Sequence, residues 1–142
     1  MDIWQKNNDG TITFRAGEWT WGDWGKNIDI KALFNAWYYI ALKGQQHMAT
    51  ALGMNAEADA ILQEMKALKK AFNAAFWNGK AYRHPDYRLK TDDRVQALAI
   101  VSGLADKEKY PALIKVLKQN EHASPYMEKY VIEALFRMGE NY

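Results

Sequence analysis

The sequence has no cysteine among its 142 residues, which excludes disulfide frameworks and thiolate metal sites. Its three histidines are scattered and show no metal-binding spacing, either with one another or with carboxylates. A glycine-rich phosphate loop and the nucleophile elbow of a serine hydrolase are both missing. The sequence therefore predicts a protein without a metal site or a bound cofactor.

An excess of charge of one sign and a long apolar run are also missing. The 19 Lys and Arg residues and the 17 Asp and Glu residues are interspersed and give a net charge of +2. Because no basic cluster occurs, a nucleic-acid partner is not expected. No apolar run approaches the roughly 18 residues of a membrane span, so a membrane partner is not expected either.

Aromatic residues are abundant, and they concentrate in one short segment. Residues 17–25 contain three tryptophans, two acids and three glycines, directly before a long helical pattern. The glycines place the indoles on a turning backbone. Flat indole faces beside carboxylates match the apolar face and the hydroxyls of a sugar ring, so the segment is typical of a carbohydrate cleft. The alternative is that these tryptophans plug the end of a helical bundle.

Helical periodicity dominates the rest of the chain and predicts an all-α fold. The predicted helices cover about 29–52, 55–76, 91–103, 110–119 and 125–138. Asn55 and Ser124 are predicted helix caps, and Pro125 follows Ser124 at a favourable first position. The turn signal at 7–10 and the alternation that follows it predict a short N-terminal hairpin or an extended loop.

Short turns within the first two helix pairs predict antiparallel helical hairpins, with the less charged odd-numbered helices inside and the even-numbered helices outside. If the odd-numbered helices are parallel, their N-termini meet at one end. The segments that enter these helices, 18–27, 82–93 and 121–126, are the loops richest in aromatic residues, histidine and acids. The sequence therefore predicts a composite site at that end.

Several motifs, taken together with their order and spacing, resemble the later half of the catalytic domain of bacterial α-L-rhamnosidases. The resemblance covers residues 17–139. It rests on Trp21-Gly22-Asp23-Trp24, Asn35-Ala36-Trp37-Tyr38-Tyr39, the segment 48–53, Ala71-Phe72-Asn73 with Phe76-Trp77, Gln96-Ala97-Leu98-Ala99 with Gly103-Leu104, and Ser124-Pro125-Tyr126-Met127 with Glu133-Ala134-Leu135.

The resemblance implies helical hairpins that form part of an (α/α)6 toroid, and a hydrolase that removes terminal α-linked L-rhamnose with inversion. In such a mechanism one carboxylic acid protonates the leaving oxygen and a second carboxylate deprotonates a water on the opposite face of the sugar. It also implies a carbohydrate partner and a periplasmic or secreted parent protein.

Two features of that family have no counterpart in this sequence. The family's acidic segment before the Gly-Asp-Trp motif is missing, and so is its Thr-Thr-x-Trp-Glu-like segment after the last helix. The sequence also predicts about five helices, whereas a complete six-hairpin toroid needs about a dozen. We therefore expect residues 1–142 to be part of a six-hairpin domain, with a hairpin and aromatic loop at 1–28 and helices at 29–139. The chain alone is expected to be inactive and to self-associate through the exposed faces of a partial toroid.

The candidate substrate-binding residues are Trp21, Asp23, Trp24, Glu18 and His122, and each also has a structural explanation. Asp23 and the indoles could cap and pack the start of the first helix, whereas Glu18 and His122 could be solvated. Glu128 is the in-chain candidate for a catalytic carboxylate, although an acid in a first helical turn is also favourable without any catalytic role. For the Asp92–Asp93 pair, capping of the third helix is the preferred interpretation.

Two other functions compete with this hypothesis. Aromatic loops and acids also fit another toroid enzyme, such as a glucosidase, a debranching-type enzyme or a polysaccharide lyase. A helical-repeat binding module would show regular periods of about 34–40 residues. The glycines that close the helices are unequally spaced, at 53, 103 and 139, and the tryptophan-rich loop is atypical, so both features speak against a repeat module.

Overall fold

A computed structural model describes residues 5–15 and 21–140 of the chain. The described residues are all-α, as predicted, and form five α-helices: α1 (Ile30–Ala51), α2 (Asn55–Phe76), α3 (Asp93–Ser102), α4 (Tyr110–Gln119) and α5 (Pro125–Arg137). A 3-10 turn at Lys107–Lys109 leads into α4. None of the helices in this part of the chain has the length and apolarity needed to cross a membrane.

Side-chain caps mark the starts of α1 and α3. Asp29 caps α1, because its side chain accepts a hydrogen bond from the backbone N–H of Ala32. The prediction that Asn55 caps α2 is wrong. Asn55 is the first helical residue, since the carbonyl of Met54 already accepts the first helical bond, from Ala58 N–H at 2.9 Å.

The helices pack in two layers. α1, α3 and α5 lie side by side, α2 packs outside α1, and α4 packs outside α3 and α5. Most of α3 is buried on every side, as expected for a helix enclosed between two neighbours and an outer layer. On the inner side, the Trp37 ring on α1 meets the Tyr130 ring on α5 at a centroid distance of 5.3 Å. This arrangement matches the predicted inner and outer layers.

The N-terminal segment is a short hairpin rather than an extended loop. Asn7 N–H donates to the Thr11 carbonyl at 2.8 Å, and Thr13 N–H donates to the Gln5 carbonyl at 2.9 Å. The hairpin is attached to α1, because Ile12 N–H donates to Asn35 Oδ1 at 2.8 Å.

The N-termini of α1, α3 and α5 lie at one end of the molecule, as the parallel arrangement of odd-numbered helices predicts. Asp29 N–H, at the start of α1, donates to Asp92 Oδ2, at the start of α3, at 2.8 Å. Ser124 N–H, at the start of α5, donates to Asp23 Oδ2 at 2.9 Å. We call this end, with the segments 21–29, 82–92 and 120–124 that enter the three helices, the N-terminal rim.

Candidate functional site

Three aromatic rings form an exposed group on the N-terminal rim. Trp21 and Trp24 pack edge to face at a centroid distance of 4.6 Å, and Tyr126, in the first turn of α5, lies 5.2 Å from Trp21 and 6.1 Å from Trp24. Trp24 is 62% exposed and Tyr126 is 41% exposed. We call these three residues the aromatic cluster. Large aromatic rings that remain accessible beside a cavity are typical of ligand-binding walls.

A cavity of about 380 Å³ adjoins the aromatic cluster. Trp21 and Tyr126 form one side of it and α1 forms the other. Its lining residues are Trp21, Gly22, Phe34, Trp37, Tyr38, Ala41 and Tyr126. Among the described residues no carboxylate lines this cavity, so its chemistry is that of an apolar wall with the polar tips of tyrosine and tryptophan.

Gly22 allows the loop to pack closely on α1. A Cβ atom at this position would lie 2.6 Å from Leu33 Cδ2 and 2.8 Å from Ile30 Cδ1. Leu33 is fully buried, so it has little room to retreat. Gly22 therefore fixes how near the two indoles lie to the helix.

We expect Gly22→Ala to destabilise the protein by about 1–3 kcal/mol, because the new methyl group overpacks the contact with Leu33. Gly44→Ala is the matched control, since nothing lies within 4 Å of a Cβ there and the position is inside α1. That control should stabilise the protein by roughly 0.5–1 kcal/mol through helix propensity. Urea unfolding of both variants checks the pair, and equal shifts of the same sign would contradict it.

Asp23 lies beneath the aromatic cluster and not in the cavity. Its side chain is fully buried, and both carboxylate oxygens are hydrogen bonded. Ser124 donates through its hydroxyl to Oδ1 and through its backbone N–H to Oδ2, and Arg94 Nη1 donates to Oδ2 at 3.2 Å. Burial by itself would raise the pKa of Asp23, but the bonds from Ser124 and Arg94 outweigh it and hold the pKa below its ordinary value.

The predicted direct contact between Asp23 and a sugar stays a prediction. In the structure the carboxylate links the start of α5 to residues 21–29, which we call the aromatic segment. This role resembles the capping alternative but involves a different helix. Ser124 occupies the N-cap position of α5, as predicted, yet its hydroxyl bonds to Asp23 rather than to its own helix. Asp23 is not the N-cap residue of α1 or of α5. It accepts hydrogen bonds from Ser124, which is the N-cap residue of α5.

Three further carboxylates of the rim accept hydrogen bonds from backbone N–H groups of loops and helix starts. Asp29 accepts from His84 N–H at 2.7 Å, and Asp93 accepts from His122 N–H at 2.8 Å. Asp92 N-caps α3, as the sequence predicts, and is 1% exposed. Its burial raises its pKa to about 6, although the neighbouring Arg94 charge opposes that rise. These acids bind N–H groups that would otherwise be buried without partners.

The remaining predicted site residues lie elsewhere or outside the described range. Glu18 belongs to residues 16–20, which the structure does not describe. His122 is half-buried, and its Nδ1 is buried without a hydrogen-bond partner among the described residues. Glu128 is exposed and lines a different cavity of about 510 Å³, between α4 and α5, together with Glu121 and Lys118. The structure thus separates Glu128 from the aromatic cavity.

Two residues at this end were not named as site candidates from the sequence, although Tyr126 lies within the predicted segment 121–126. Tyr126 completes the aromatic cluster, and Arg94 is a fully buried cation at the second position of α3. A positive charge at a helix N-terminus is unfavourable unless acids surround it. The acids of the run Asp92-Asp93-Arg94 explain why an arginine is tolerated there, but they give no signal of its partners in residues 23–27.

Within residues 5–15 and 21–140, no group of three or more His, Asp and Glu side chains is arranged to hold a metal ion. The side chain of His84 is engaged within its own loop. Asp86 N–H donates to His84 Nδ1 at 3.1 Å, and burial is the main cause that lowers the pKa of His84. An uncharged His84 is therefore part of the loop structure at neutral pH.

Comparisons with known proteins agree on the fold family. Residues 1–136 match the family model of the bacterial α-L-rhamnosidase six-hairpin glycosidase domain. The crystal structure of a GH78 family rhamnosidase of Bacillus sp. GL1 superposes with a TM-score of 0.70 at 22% sequence identity, covering 94% of this chain. The chain spans 15% of the length of that structure. A search of curated proteins gave no match.

Proposed function

Because the chain belongs to the bacterial α-L-rhamnosidase six-hairpin glycosidase domain family, we propose that it supplies part of the sugar-binding wall of a glycoside hydrolase that removes terminal α-L-rhamnose. The observation that carries this proposal is the exposed aromatic cluster beside an apolar cavity at the end where α1, α3 and α5 begin. An indole or phenol face can cover the C–H face of a pyranose ring while hydroxyls of the sugar remain free to bond with polar groups.

The same geometry supports a division of labour in an inverting mechanism. That mechanism needs two carboxyl groups that reach the sugar, roughly 6.5–9.5 Å apart, one as general acid and one as general base. The rim acids Asp23, Asp29, Asp92 and Asp93 are buried and hydrogen bonded. We propose that this chain contributes the apolar wall, and that the acid and base come from segments outside residues 1–142.

Binding of L-rhamnose tests the wall directly. We expect L-rhamnose to change tryptophan fluorescence, and Trp24→Ala to weaken that binding roughly 5–10-fold, because the exposed ring loses a stacking contact of about 1 kcal/mol. Phe136→Ala is the matched control, since Phe136 is 75% exposed on α5 away from the aromatic cluster. Equal affinities of the wild type and Trp24→Ala would contradict a stacking role for Trp24.

The same titration separates the alternatives. A preference for D-glucose over L-rhamnose would favour another toroid enzyme, such as a glucosidase or a debranching-type enzyme. Binding of a peptide with no response to any sugar would favour a helical-repeat module. The family match favours rhamnose, and it covers almost the whole chain.

Turnover of an aryl α-L-rhamnoside tests the division of labour. The isolated chain is expected to show no turnover above background, because none of its described carboxylates lines the aromatic cavity. Glu128 is the in-chain carboxylate to examine, since it is exposed in the other cavity, between α4 and α5. Turnover by the wild type that Glu128→Gln abolishes would overturn the proposed placement of the acid and base.

Self-association stays a prediction. Large apolar side chains are exposed on α5, where Ile132 is 55% and Phe136 is 75% exposed, and at the end of α1, where Met48 is 62% exposed. Such faces favour association when they are contiguous. Sedimentation velocity at several concentrations checks this expectation, and a monomer throughout the range would contradict it.

A further inference from the structure

The aromatic segment, which carries the two indoles of the aromatic cluster, has no regular secondary structure between residues 21 and 29. Two of its residues have left-handed backbones, Gly25 with φ of 101° and Asn27 with φ of 58°. Glycine adopts such a backbone freely and asparagine adopts it more readily than most other residues, so the segment can turn here, but no helix or strand of its own holds it in place. The question is therefore which group holds this segment in place.

Arg94 contacts the segment along most of its length. Its Nη2 donates to the carbonyls of Lys26 and Asn27, both at 2.9 Å. Its Nη1 donates to Asp23 Oδ2 at 3.2 Å and to the Trp24 carbonyl at 3.4 Å. One guanidinium group thus gathers a carboxylate and three carbonyls from residues 23–27, and its side chain is 0% exposed.

The other side of the same group is anchored to α3. Nε donates to Asp92 Oδ1 at 2.7 Å, and Asp92 also accepts from the backbone N–H of Arg94. Within α3 alone, a cation at the second helical position opposes the helix dipole. Among the described residues, the bonds that Arg94 makes outside α3 and its cap all go to the aromatic segment. An arginine at this position therefore links the start of α3 to that segment.

We infer that Arg94 is a positioning residue for carbohydrate binding, which holds the backbone of residues 23–27 so that Trp21, Trp24 and Tyr126 form one surface. The choice of a carbohydrate as the ligand rests on the proposed function. The claim that Arg94 holds residues 23–27 in place does not depend on it. The planar guanidinium has five donors in a fixed fork, and here all three nitrogens are used. A lysine has one nitrogen and cannot reach Asp92 and the carbonyls together.

Two readouts on Arg94→Lys test the inference. The edge-to-face pair of Trp21 and Trp24 should give an exciton-coupled circular dichroism band, and Trp24→Phe provides the reference spectrum without that pair. Arg94→Lys is expected to lose most of the band and to weaken L-rhamnose binding about tenfold. Retention of both the band and the affinity by Arg94→Lys would overturn the inference.

Arg83→Lys is the matched control. Arg83 also grips loop carbonyls, with Nη1 donating to Leu89 at 2.9 Å, but it holds the loop before α3 and not the aromatic segment. It should leave the band and the affinity unchanged, whereas equal losses in both variants would show general loosening and overturn the inference. If the wild type fails to bind L-rhamnose while Arg94→Lys still loses the band, the proposed function fails and the positioning role stands.

The wild-type protein offers a measurement that does not depend on the folding of a variant. Because its bonds hinder rotation of the guanidinium, the Nη protons of Arg94 should be separately resolved by NMR and protected from exchange, unlike those of the exposed Arg88. They should shift when L-rhamnose is added. Averaged, rapidly exchanging Nη protons on Arg94, or resonances that a bound sugar leaves unmoved, would refute the inference.

Discussion

Asp23→Ala is expected to lower the free energy of unfolding by about 3–5 kcal/mol, which is the usual cost of removing one partner from a buried ion pair. The substitution leaves the Ser124 N–H and hydroxyl without their acceptor and takes one carboxylate from Arg94. Arg94 keeps Asp92, so the loss should lie towards the lower end of that range. Urea unfolding followed by circular dichroism measures it.

Asp106→Ala is the matched control for Asp23→Ala. Asp106 also pairs with cations, including Lys69 at 2.8 Å, but its side chain is 47% exposed. Solvent screening and side-chain entropy limit such surface pairs to roughly 0–1 kcal/mol. If both aspartates cost the same on removal, the buried Asp23 linkage would not be what holds the rim together.

A local effect should accompany the loss of stability in Asp23→Ala. Ser124 sits at the N-cap of α5 without a side-chain bond to its own helix, so Asp23 is its substitute partner. Tyr126 follows two residues later, and its ring belongs to the aromatic cluster. Release of Ser124 should therefore displace Tyr126 and disturb the aromatic cluster, which is consistent with a positional role for Asp23.

Much of the helical architecture was predictable because local signals mark it. Asp29, Asp92 and Ser124 occupy N-cap positions where the sequence places helix starts, and Gly103 closes α3 with φ of 91°. Asn55 misled the prediction, because a residue with a strong capping preference stands one position inside a helix that the Met54 carbonyl already begins. Whether Met54 or Asn55 becomes the N-cap of α2 depends on the turn before the helix and not on the capping preference of asparagine.

The partners of the rim acids were not predictable in the same way. Asp23 and Ser124 are 101 residues apart in the chain, and the partners of Arg94 lie 67–71 residues away in the aromatic segment. No local sequence pattern predicts a pairing between residues so far apart in the chain. The sequence identified the segments that meet, because helix direction is local information, but the exposure of each acid depends on tertiary packing.

The free energy of unfolding should fall by up to roughly 3 kcal/mol through Asp92 alone as the pH rises from 4 to above 6. Asp92 has a pKa raised from its ordinary value of 3.8 to about 6, chiefly because burial disfavours its charge. An acid whose pKa is higher in the folded state binds its proton more tightly there. Its contribution to stability is therefore fully present below pH 3.8 and is lost as the pH rises through the folded pKa, at about 1.4 kcal/mol per pKa unit.

Asp23 acts in the opposite direction, because bonds from Ser124 and Arg94 lower its pKa and its contribution is lost as the pH falls. The comparison with Asp92→Asn separates the two effects. Asp92→Asn should lower the free energy of unfolding by an amount that does not depend on pH. The reason is that its amide NH2 would face the Asp29 N–H, which now donates to Asp92 Oδ2. The difference between wild type and variant should shrink between pH 4 and pH 7, and a constant difference across that range would show that Asp92 ionises normally. Above its pKa the ionised Asp92 is the partner that Arg94 requires, so ionisation of Asp92 lowers the free energy of unfolding while the carboxylate anchors the group that positions the aromatic segment.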